Sequence, residues 1–388
     1  MTSQLDRPGN SLSHAESKPI KVLISGYYGF DNLGDELILQ VLTEQLKTLG
    51  GRPGIQIVAL SQNPEKTARQ YGVEAIPRTS LPQIMQAMTG ASLFISGGGG
   101  LFQDATGPLS TVYYGGLIHL ARLRNVPVCF WAQGVGPLNG SLSRRMTASA
   151  LRRCRAITVR DEKSAALVRD LTGLKPEITA DPVWLLQTKP PMQDPVMTLS
   201  ARQNSVTPWR IGISLRPWPE LTETRLQALV HHLIAMADQA GCPVKFRLLP
   251  FQQEEDTALL EAFAARLTQA QELDSRMSTH LISAASVLET INQCDVIIGM
   301  RFHSLILGLL HQIPIYGLVY DPKVASLLEM FNLMGTPVHA LETLQSKDML
   351  AYFENYPTVD LQPMKLQSQR NFEILQQLLD LPILELQD

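Results

Sequence analysis

From Ile20 onward the chain repeats one unit: a short apolar run without polar alternation, a turn that often carries glycine, then a helical pattern. A strand with one wet face alternates apolar and polar residues. An unbroken apolar run such as Lys21–Ser25 is expected where helices cover both faces of a sheet. Repetition of the unit therefore describes parallel sheets wrapped by helices. In the first half the expected strands are Lys21–Ser25, Ile55–Leu60, Ser92–Ser96, Pro127–Ala132 and Ala156–Val159. Helical patterns cover Glu36–Leu49, Leu81–Met88, Tyr114–Arg124, Leu142–Arg153 and Ser164–Leu171.

The segment Gln187–Pro208 breaks this rhythm. It is rich in Pro, Gln, Thr and Ser, as linkers are. The pattern then restarts with strands at Arg210–Leu215, Val244–Leu249, Val296–Ile298 and Ile315–Leu318. Helices are expected at Arg225–Gln239, Thr257–Thr268 and His303–Leu310, and a long amphipathic one at Lys365–Leu379. The fold class is α/β, with two Rossmann-like, doubly wound domains facing a cleft. The expected divisions are a disordered tail over 1–19, a first domain over 20–186, a linker over 187–208 and a second domain over 209–362. The C-terminal helix region, 363–388, is placed to cross back onto the first domain. Strand C-termini would then surround the cleft, where ligands bind in such folds.

Composition narrows the function. The 388 residues suit two domains. A formal net charge of −3 gives no overall basic field, so nucleic acid is not an expected partner. Cys129, Cys154, Cys242 and Cys294 form no C-x-x-C pair and read as reduced thiols. Met1–Pro19 has no apolar core of a secretory signal, and no apolar stretch reaches the ~20 residues of a membrane span. A cytoplasmic location is expected. The basic stretch from Arg144 to Arg155 is ordinarily a solvated helix face, and peripheral contact with the inner face of a membrane is the alternative. No His/Cys/Asp cluster has metal-ligand spacing and no G-x-S-x-G elbow occurs. The expectation is no metal and no bound cofactor.

Six segments carry chemistry, and each follows a strand. In Gly26–Glu36 the glycines permit tight turns, and Asn32, Asp35 and Glu36 open a helix. Asp35 there either complements the helix dipole or serves as base or acceptor contact. Ser96-Gly97-Gly98-Gly99-Gly100 leads to Gln103 and Asp104. Four glycines can present free N–H groups to an anion, or simply allow close packing. Gln133 precedes Gly134 and is expected at the cleft edge. Arg160, before Asp161, and Arg216, before Pro217, each suit a carboxylate or phosphate, or a structural ion pair. The last segment, Gly299-Met300-Arg301-Phe302-His303-Ser304, puts an arginine and a histidine at a helix N-terminus. That is a good grip for a phosphate or carboxylate.

Together these segments resemble the polysaccharide pyruvyl transferases of the CsaB type. The match rests on Gly26–Glu36, Phe94–Asp104, Trp131–Pro137, Val159–Ser164, Ala180-Asp181-Pro182, Gly299–Ser304 and Pro314–Asp321. The resemblance implies a glycosyltransferase-B-like fold, an acceptor side in the first domain and a donor side in the second. It implies phosphoenolpyruvate as co-substrate and a saccharide acceptor, free or lipid-linked, that becomes a cyclic ketal. Arg160, Arg301 and His303 match the donor-binding positions of the family, with Arg216, Ser304 and the chemically undemanding Phe302 beside them. His303 is the expected acid and Asp35 the expected base. Gly26, Asn32, Gly97, Gly98, Gly99, Gln103, Asp104 and Gln133 are the expected acceptor and loop contacts. Two rival readings share the fold: a nucleotide-sugar glycosyltransferase and a non-catalytic sugar- or anion-binding protein.

Overall fold

The computed structural model describes residues 20–49, 54–105, 107–188, 205–271 and 276–380. The expected tail over 1–19, most of the expected linker and the last eight residues lie outside them. The first sheet contains β1 (Ile20–Ser25), β2 (Ile55–Ser61), β3 (Glu74–Pro77), β4 (Leu93–Phe102), β5 (Val128–Val135), β6 (Ala156–Val159) and β7 (Glu177–Ile178). Its helices are α1 (Leu33–Leu49), α2 (Pro64–Tyr71), α3 (Leu81–Met88), α4 (Leu109–Leu123), α5 (Ser141–Leu151) and α6 (Glu162–Thr172). The second sheet contains β8 (Trp209–Ser214), β9 (Val244–Leu248), β10 (Met277–Leu281), β11 (Val296–Gly299), β12 (Ile315–Val319) and β13 (Gly335–Pro337). Its helices are α7 (Glu223–Ala240), α8 (Gln253–Gln271), α9 (Val287–Ile291), α10 (Phe302–Leu310), α11 (Pro322–Met330) and α12 (Ser346–Glu354), followed by α13 (Gln362–Leu378).

The strand orders are β3-β2-β1-β4-β5-β6-β7 and β10-β9-β8-β11-β12-β13, with parallel pairing throughout. Each order reverses once, between β1 and β4 and between β8 and β11. A crevice opens at such a reversal, because the helices following the two strands lie on opposite faces. The unbroken apolar runs are explained by burial: Val22, Leu23 and Ile24 of β1 have no exposed surface. One apolar core runs from Leu37, Leu39 and Trp131 to Leu249, Phe251 and Leu305, so it crosses both sheets.

The last helix belongs physically to the first sheet. Asn371 of α13 is fully buried there. Its Oδ1 accepts bonds from Thr158 Oγ1 (2.9 Å) and Thr179 Oγ1 (2.8 Å), and its Nδ2 donates to the Ala180 carbonyl (2.9 Å). Trp131 Nε1 donates to the Asn371 carbonyl at 3.3 Å. Without the Asn371 amide the buried Thr158 hydroxyl would lose its acceptor, at about 1–3 kcal/mol, so this side chain helps fix the stretch leading to Asp181.

Two glycine segments differ from the expectation of loops after strands. Gly97–Gly100 lies inside β4, which continues to Phe102, and Gln133-Gly134-Val135 lies inside β5. The reason is close packing. A Cβ would stand 3.1 Å from Tyr28 Oη at Gly97, 2.3 Å from Ile38 Cγ2 at Gly98 and 2.6 Å from Asp35 Oδ1 at Gly99. Gly99 also has φ +87°, where the β4–β5 register shifts. Gly98 and Gly99 thus allow the close approach of α1, and Gly97 that of Tyr28.

All four cysteines are free, and Cys129, Cys242 and Cys294 are buried. Among the described residues no helix is long and apolar enough to cross a membrane. The basic stretch lies on α5 and just after it. Arg144 pairs with Asp170 at 2.7 Å, and Arg152 and Arg153 bond the carbonyls of Leu171 and Ser149.

Candidate active site

The crevice is closed by groups from both halves. Arg160 follows β6, and its guanidinium passes close to Gly134, with Nε 2.9 Å from where a Cβ there would stand. Only glycine on β5 lets the arginine cross that strand. Its Nη1 donates to Asp181 Oδ2 at 2.8 Å, and Asp161 Oδ2 is 3.9 Å from Nε. Asp161 itself caps α6 by accepting the Ser164 N–H at 2.7 Å.

Asp181 is buried, and it precedes a short 3-10 turn, Pro182–Leu185. Its Oδ1 accepts the Val183 N–H at 3.1 Å, leaving Oδ2 for two nitrogen partners. One is Arg160; the other is His303, from the opposite half, whose Nε2 stands 3.5 Å away. That distance suits an ion pair but is too long for a good hydrogen bond. Burial alone would push the Asp181 carboxyl up. The facing His303 imidazole and Arg160 guanidinium nevertheless hold it well below the usual carboxylate range.

His303 sits in the first turn of α10, and Gly34 sits in the first turn of α1. A Cβ at residue 34 would lie 2.0 Å from His303 Nδ1. The imidazole is thus wedged between a glycine of one half and a carboxylate of the same half. Phe302, beside it, presents its ring to Arg160 at 5.1 Å. A cavity of about 40 Å³ adjoins these groups, lined by Arg160, Asp181, Trp184, Phe302, Lys323 and Met330, among others.

Asp35 stands in the first turn of α1, against Gly99. Burial and the neighbouring Glu36 carboxylate raise its pKa to about 7, against the opposing pull of Arg160 and Lys323. Glu36 itself is committed to the loop after β1. It accepts the Gly29 N–H and the Tyr71 hydroxyl, both at 2.7 Å. Gly29 has φ +78°, and a Cβ there would meet Ser61 Oγ at 2.2 Å.

The family model for polysaccharide pyruvyl transferases matches residues 32–322, most of the chain. The chain belongs to the polysaccharide pyruvyl transferase family. It is therefore a transferase of the kind that modifies polysaccharides. Comparison with curated proteins finds no match. Solved structures share the glycosyltransferase-B-like fold at low identity. UDP-GlcNAc 2-epimerase from Methanocaldococcus jannaschii has a TM-score of 0.60 and 10% identity, over 92% of this chain and 99% of that one. Anabaena Alr3699/HepE, solved with UDP-glucose, has 0.54 and 14%, over 93% and 98%. A glycosyltransferase from Rickettsia africae has 0.58 and 10%, over 94% and 99%.

Within this pyruvyl transferase fold the residues singled out from the sequence divide into two groups. Arg160, Phe302, His303 and Asp35 converge on the crevice with Asp181 and Lys323. Arg301 is beside His303 in sequence but turns away, onto α8. Its Nη2 reaches Asp256 Oδ1 at 2.5 Å and Glu255 Oε2 at 3.3 Å, and its Nε reaches Asp256 Oδ2 at 3.1 Å. Asp256 also accepts the Phe251 and Gln252 N–H groups, both at 3.0 Å. Those two residues hold α1: Leu33 N–H donates to the Phe251 carbonyl at 2.7 Å, and Asn32 Nδ2 to Gln252 Oε1 at 3.1 Å. Arg301 thus braces the segment on which α1 docks, and its charge is met by carboxylates. Ser304 is buried, with its hydroxyl donating to the Arg301 carbonyl at 2.6 Å. Arg216 Nη1 reaches Tyr320 Oη at 3.4 Å, with Glu255 3.7 Å from Nη2.

The remaining positions have local partners. Asn32 Oδ1 accepts the Gly34 N–H at 3.1 Å, capping α1. Gly26 accepts the Tyr114 hydroxyl at 3.2 Å. Gln103 Oε1 accepts the Ala105 N–H at 2.7 Å. Asp104 accepts the Asn139 and Gly140 N–H groups that lead into α5, at 2.9 and 2.7 Å. Gln133 is buried rather than at the cleft edge, with Nε2 on the Ser96 carbonyl at 2.7 Å. Asp181 is the residue that reasoning from the sequence left without a role. Its signal was weak: an acid before proline, which ordinarily marks only a cap. Among the described residues no cluster of His, Cys, Asp and Glu is arranged to hold a metal ion.

Proposed function

We propose that this chain transfers a pyruvyl group from phosphoenolpyruvate to a hexose or N-acetylhexosamine of a cell-surface polysaccharide or its lipid-linked precursor, forming a cyclic ketal and releasing phosphate. The observation that carries this reading is the Arg160–Asp181–His303 contact across the crevice, beside the Lys323-lined cavity. Phosphoenolpyruvate bears a carboxylate and a phosphate. Arg160, Lys323 and the N-terminus of α10 supply positive potential for both.

The chemistry begins with proton transfer from His303 to the methylene carbon, which becomes a methyl group and leaves a cation at the adjacent carbon. One acceptor hydroxyl adds to that carbon and gives up its proton. Phosphate then departs with its bridging oxygen, and a second hydroxyl closes the ring as its own proton leaves. Asp35, with a carboxyl poised near neutrality, is the base for a hydroxyl proton. The test is His303→Asn. It keeps phosphoenolpyruvate binding and the fold, and it lowers turnover by about 10²–10⁴-fold, the usual contribution of a general acid. Near-normal turnover would remove His303 from the mechanism.

A second reading, nucleotide-sugar transfer, draws on the UDP-binding relatives of the fold. It needs a carboxylate for the ribose in the second half. Asp321 there is a helix cap, accepting the Lys323 N–H at 2.9 Å, and Glu329 is exposed. Thermal stabilisation by nucleotide sugars, with none by phosphoenolpyruvate, would favour that reading.

A further inference from the structure

The C-terminal edge of the first sheet carries a layered stack that the reaction above does not use. Tyr27 and Phe30, in the loop after β1, lie face to face with ring centroids 4.0 Å apart and planes 4° from parallel. The Arg78 guanidinium, just after β3, stands 4.8 Å from the Phe30 centroid and 4.3 Å from that of Tyr113 on α4. Arg78 is therefore a cation between two aromatic faces, with the Tyr114 ring 5.5 Å away. Tyr27, Phe30, Arg78 and Tyr113 are all only partly buried.

The stack holds the loop in place, and the Tyr113 hydroxyl donates to the Arg78 carbonyl at 2.7 Å. That role does not account for the guanidinium edge. Arg78 has five N–H donors, and its side chain meets two phenols: Nη2 reaches Tyr114 Oη at 3.5 Å, and the guanidinium also lies against the Tyr113 hydroxyl. Among the described residues no carboxylate lies within ion-pair distance of it. Arg144, Arg160, Arg210, Arg301 and Arg370 each have one. A half-buried guanidinium with its faces covered and no carboxylate on its edge is arranged to receive a carboxylate or phosphate.

The neighbours say what else that anion carries. Phe30 has Tyr27 on one face and Arg78 on the other, so Tyr27 ends the stack, and its outer face is of the kind on which the C–H face of a pyranose packs while its hydroxyls point outward. The stack also adjoins the crevice. Tyr27 is close enough to Glu255 and Asp35 that, after burial, their carboxylates push its phenol up.

We infer that Tyr27, Phe30, Arg78 and Tyr113 form an acceptor subsite for a saccharide bearing an acidic group, with the sugar against the outer face of Tyr27 and its phosphate or carboxylate on the Arg78 edge. Calling it an acceptor subsite rests on the pyruvyl-transfer reading, whereas its affinity for acidic sugars does not.

The test is calorimetric titration of wild type, Arg78→Gln and Arg78→Lys with glucose 1-phosphate, glucuronate, glucose and inorganic phosphate, and separately with phosphoenolpyruvate. Wild type should bind glucose 1-phosphate or glucuronate at least about tenfold more tightly than glucose or inorganic phosphate. The stronger of the two names the preferred acid. Arg78→Gln should lose that preference and keep its affinity for phosphoenolpyruvate. Arg78→Lys, which retains the charge but not the fork, should fall between, and it carries the comparison if the glutamine variant fails to fold. Equal binding of acidic sugar by wild type and variant overturns the inference, as does no binding to wild type. Equal binding of inorganic phosphate and sugar phosphate removes the saccharide from it. A tenfold loss of phosphoenolpyruvate affinity in Arg78→Gln would place Arg78 in the donor site instead, and also overturns it. Acidic-sugar binding without any phosphoenolpyruvate binding would leave the subsite standing and sink the pyruvyl-transfer reading.

Discussion

Gly34→Ala gives the sharpest test of how the fold places the acid. In an unencumbered helix this change is favourable by about 1 kcal/mol, because alanine loses less backbone entropy. Here the added Cβ would stand 2.0 Å from His303 Nδ1, 2.7 Å from Cε1 and 2.8 Å from Cγ. Carbon contacts are comfortable near about 3.5–4 Å, so the ring has to retreat by roughly 1.5 Å. The helix cannot yield easily. Leu33 is bonded to Phe251, Asn32 to Gln252, and Leu37, Ile38 and Leu39 are buried. Overpacking of this kind costs about 1–3 kcal/mol, so the net destabilisation is at most about 2 kcal/mol. That is small beside the roughly 5–15 kcal/mol that holds a domain together. Misplacing a catalytic group by about 1 Å is expected to lower turnover by about 10²-fold. Gly116→Ala on α4 is the control: its Cβ meets nothing within 4 Å, so turnover should be unchanged. Phosphate release and thermal melting of both variants decide the matter. Turnover of Gly34→Ala within about threefold of wild type, with the fold intact, would refute the placement of His303 between Gly34 and Asp181.

Two further perturbations follow from the charges. Asp181→Asn removes the counter-charge of a buried Arg160 and should cost about 3–5 kcal/mol in denaturant unfolding. Because the folded carboxyl is held below its ordinary value of about 3.9, the stability from this pair is complete above that pH and lost as pH falls below it. A variant as stable as wild type at pH 7 would contradict this. Asp35 behaves in the opposite sense, with its pKa raised to about 7. As a base it should give kcat a rising limb with an apparent pKa near 7, flattened in Asp35→Asn. Its contribution to stability falls as pH rises from about 4 to 7, by at most about 4 kcal/mol, so Asp35→Asn should gain on wild type at pH 8. An unaltered pH profile in that variant would take Asp35 out of the mechanism.

The fold was legible because burial writes itself into composition. Strands covered on both faces need continuous apolar runs, and the main ones of both sheets stood out on that ground. The short edge strands did not. Glu74–Pro77 has no fully buried residue and Glu177–Ile178 has two residues, so neither carries a period. The helix Pro64–Tyr71 was readable from its ends but passed over. Asn63 caps it by accepting the Lys66 N–H, Pro64 starts it, and Gly72 at φ +59° ends it.

The crevice was legible in part for a different reason. Residues after strand ends in doubly wound folds point to one place, which is why Arg160, His303 and Asp35 could be named together. Direction is not written in position, however. Arg301 and His303 are two residues apart at one helix start, yet the first is drawn back by Asp256 and the second meets Asp181. Asp256 lies 45 residues upstream of Arg301 and Asp181 lies 21 residues beyond Arg160, so no local pattern announces either partner. For the glycines of β4 composition left two causes open, and Gly98 and Gly99 pack against α1. Close approach of a neighbouring helix and an anion nest demand the same residue.

The central claim is that phosphoenolpyruvate is consumed onto a sugar. Wild-type protein should be incubated with phosphoenolpyruvate and a panel of N-acetylmannosamine, glucose and galactose glycosides, free and lipid-diphosphate-linked. Phosphate release and product mass are followed together. The account predicts phosphate release that depends on one class of acceptor, with that acceptor gaining the mass of pyruvic acid less one water. Folded protein that neither binds nor consumes phosphoenolpyruvate with any acceptor would contradict it.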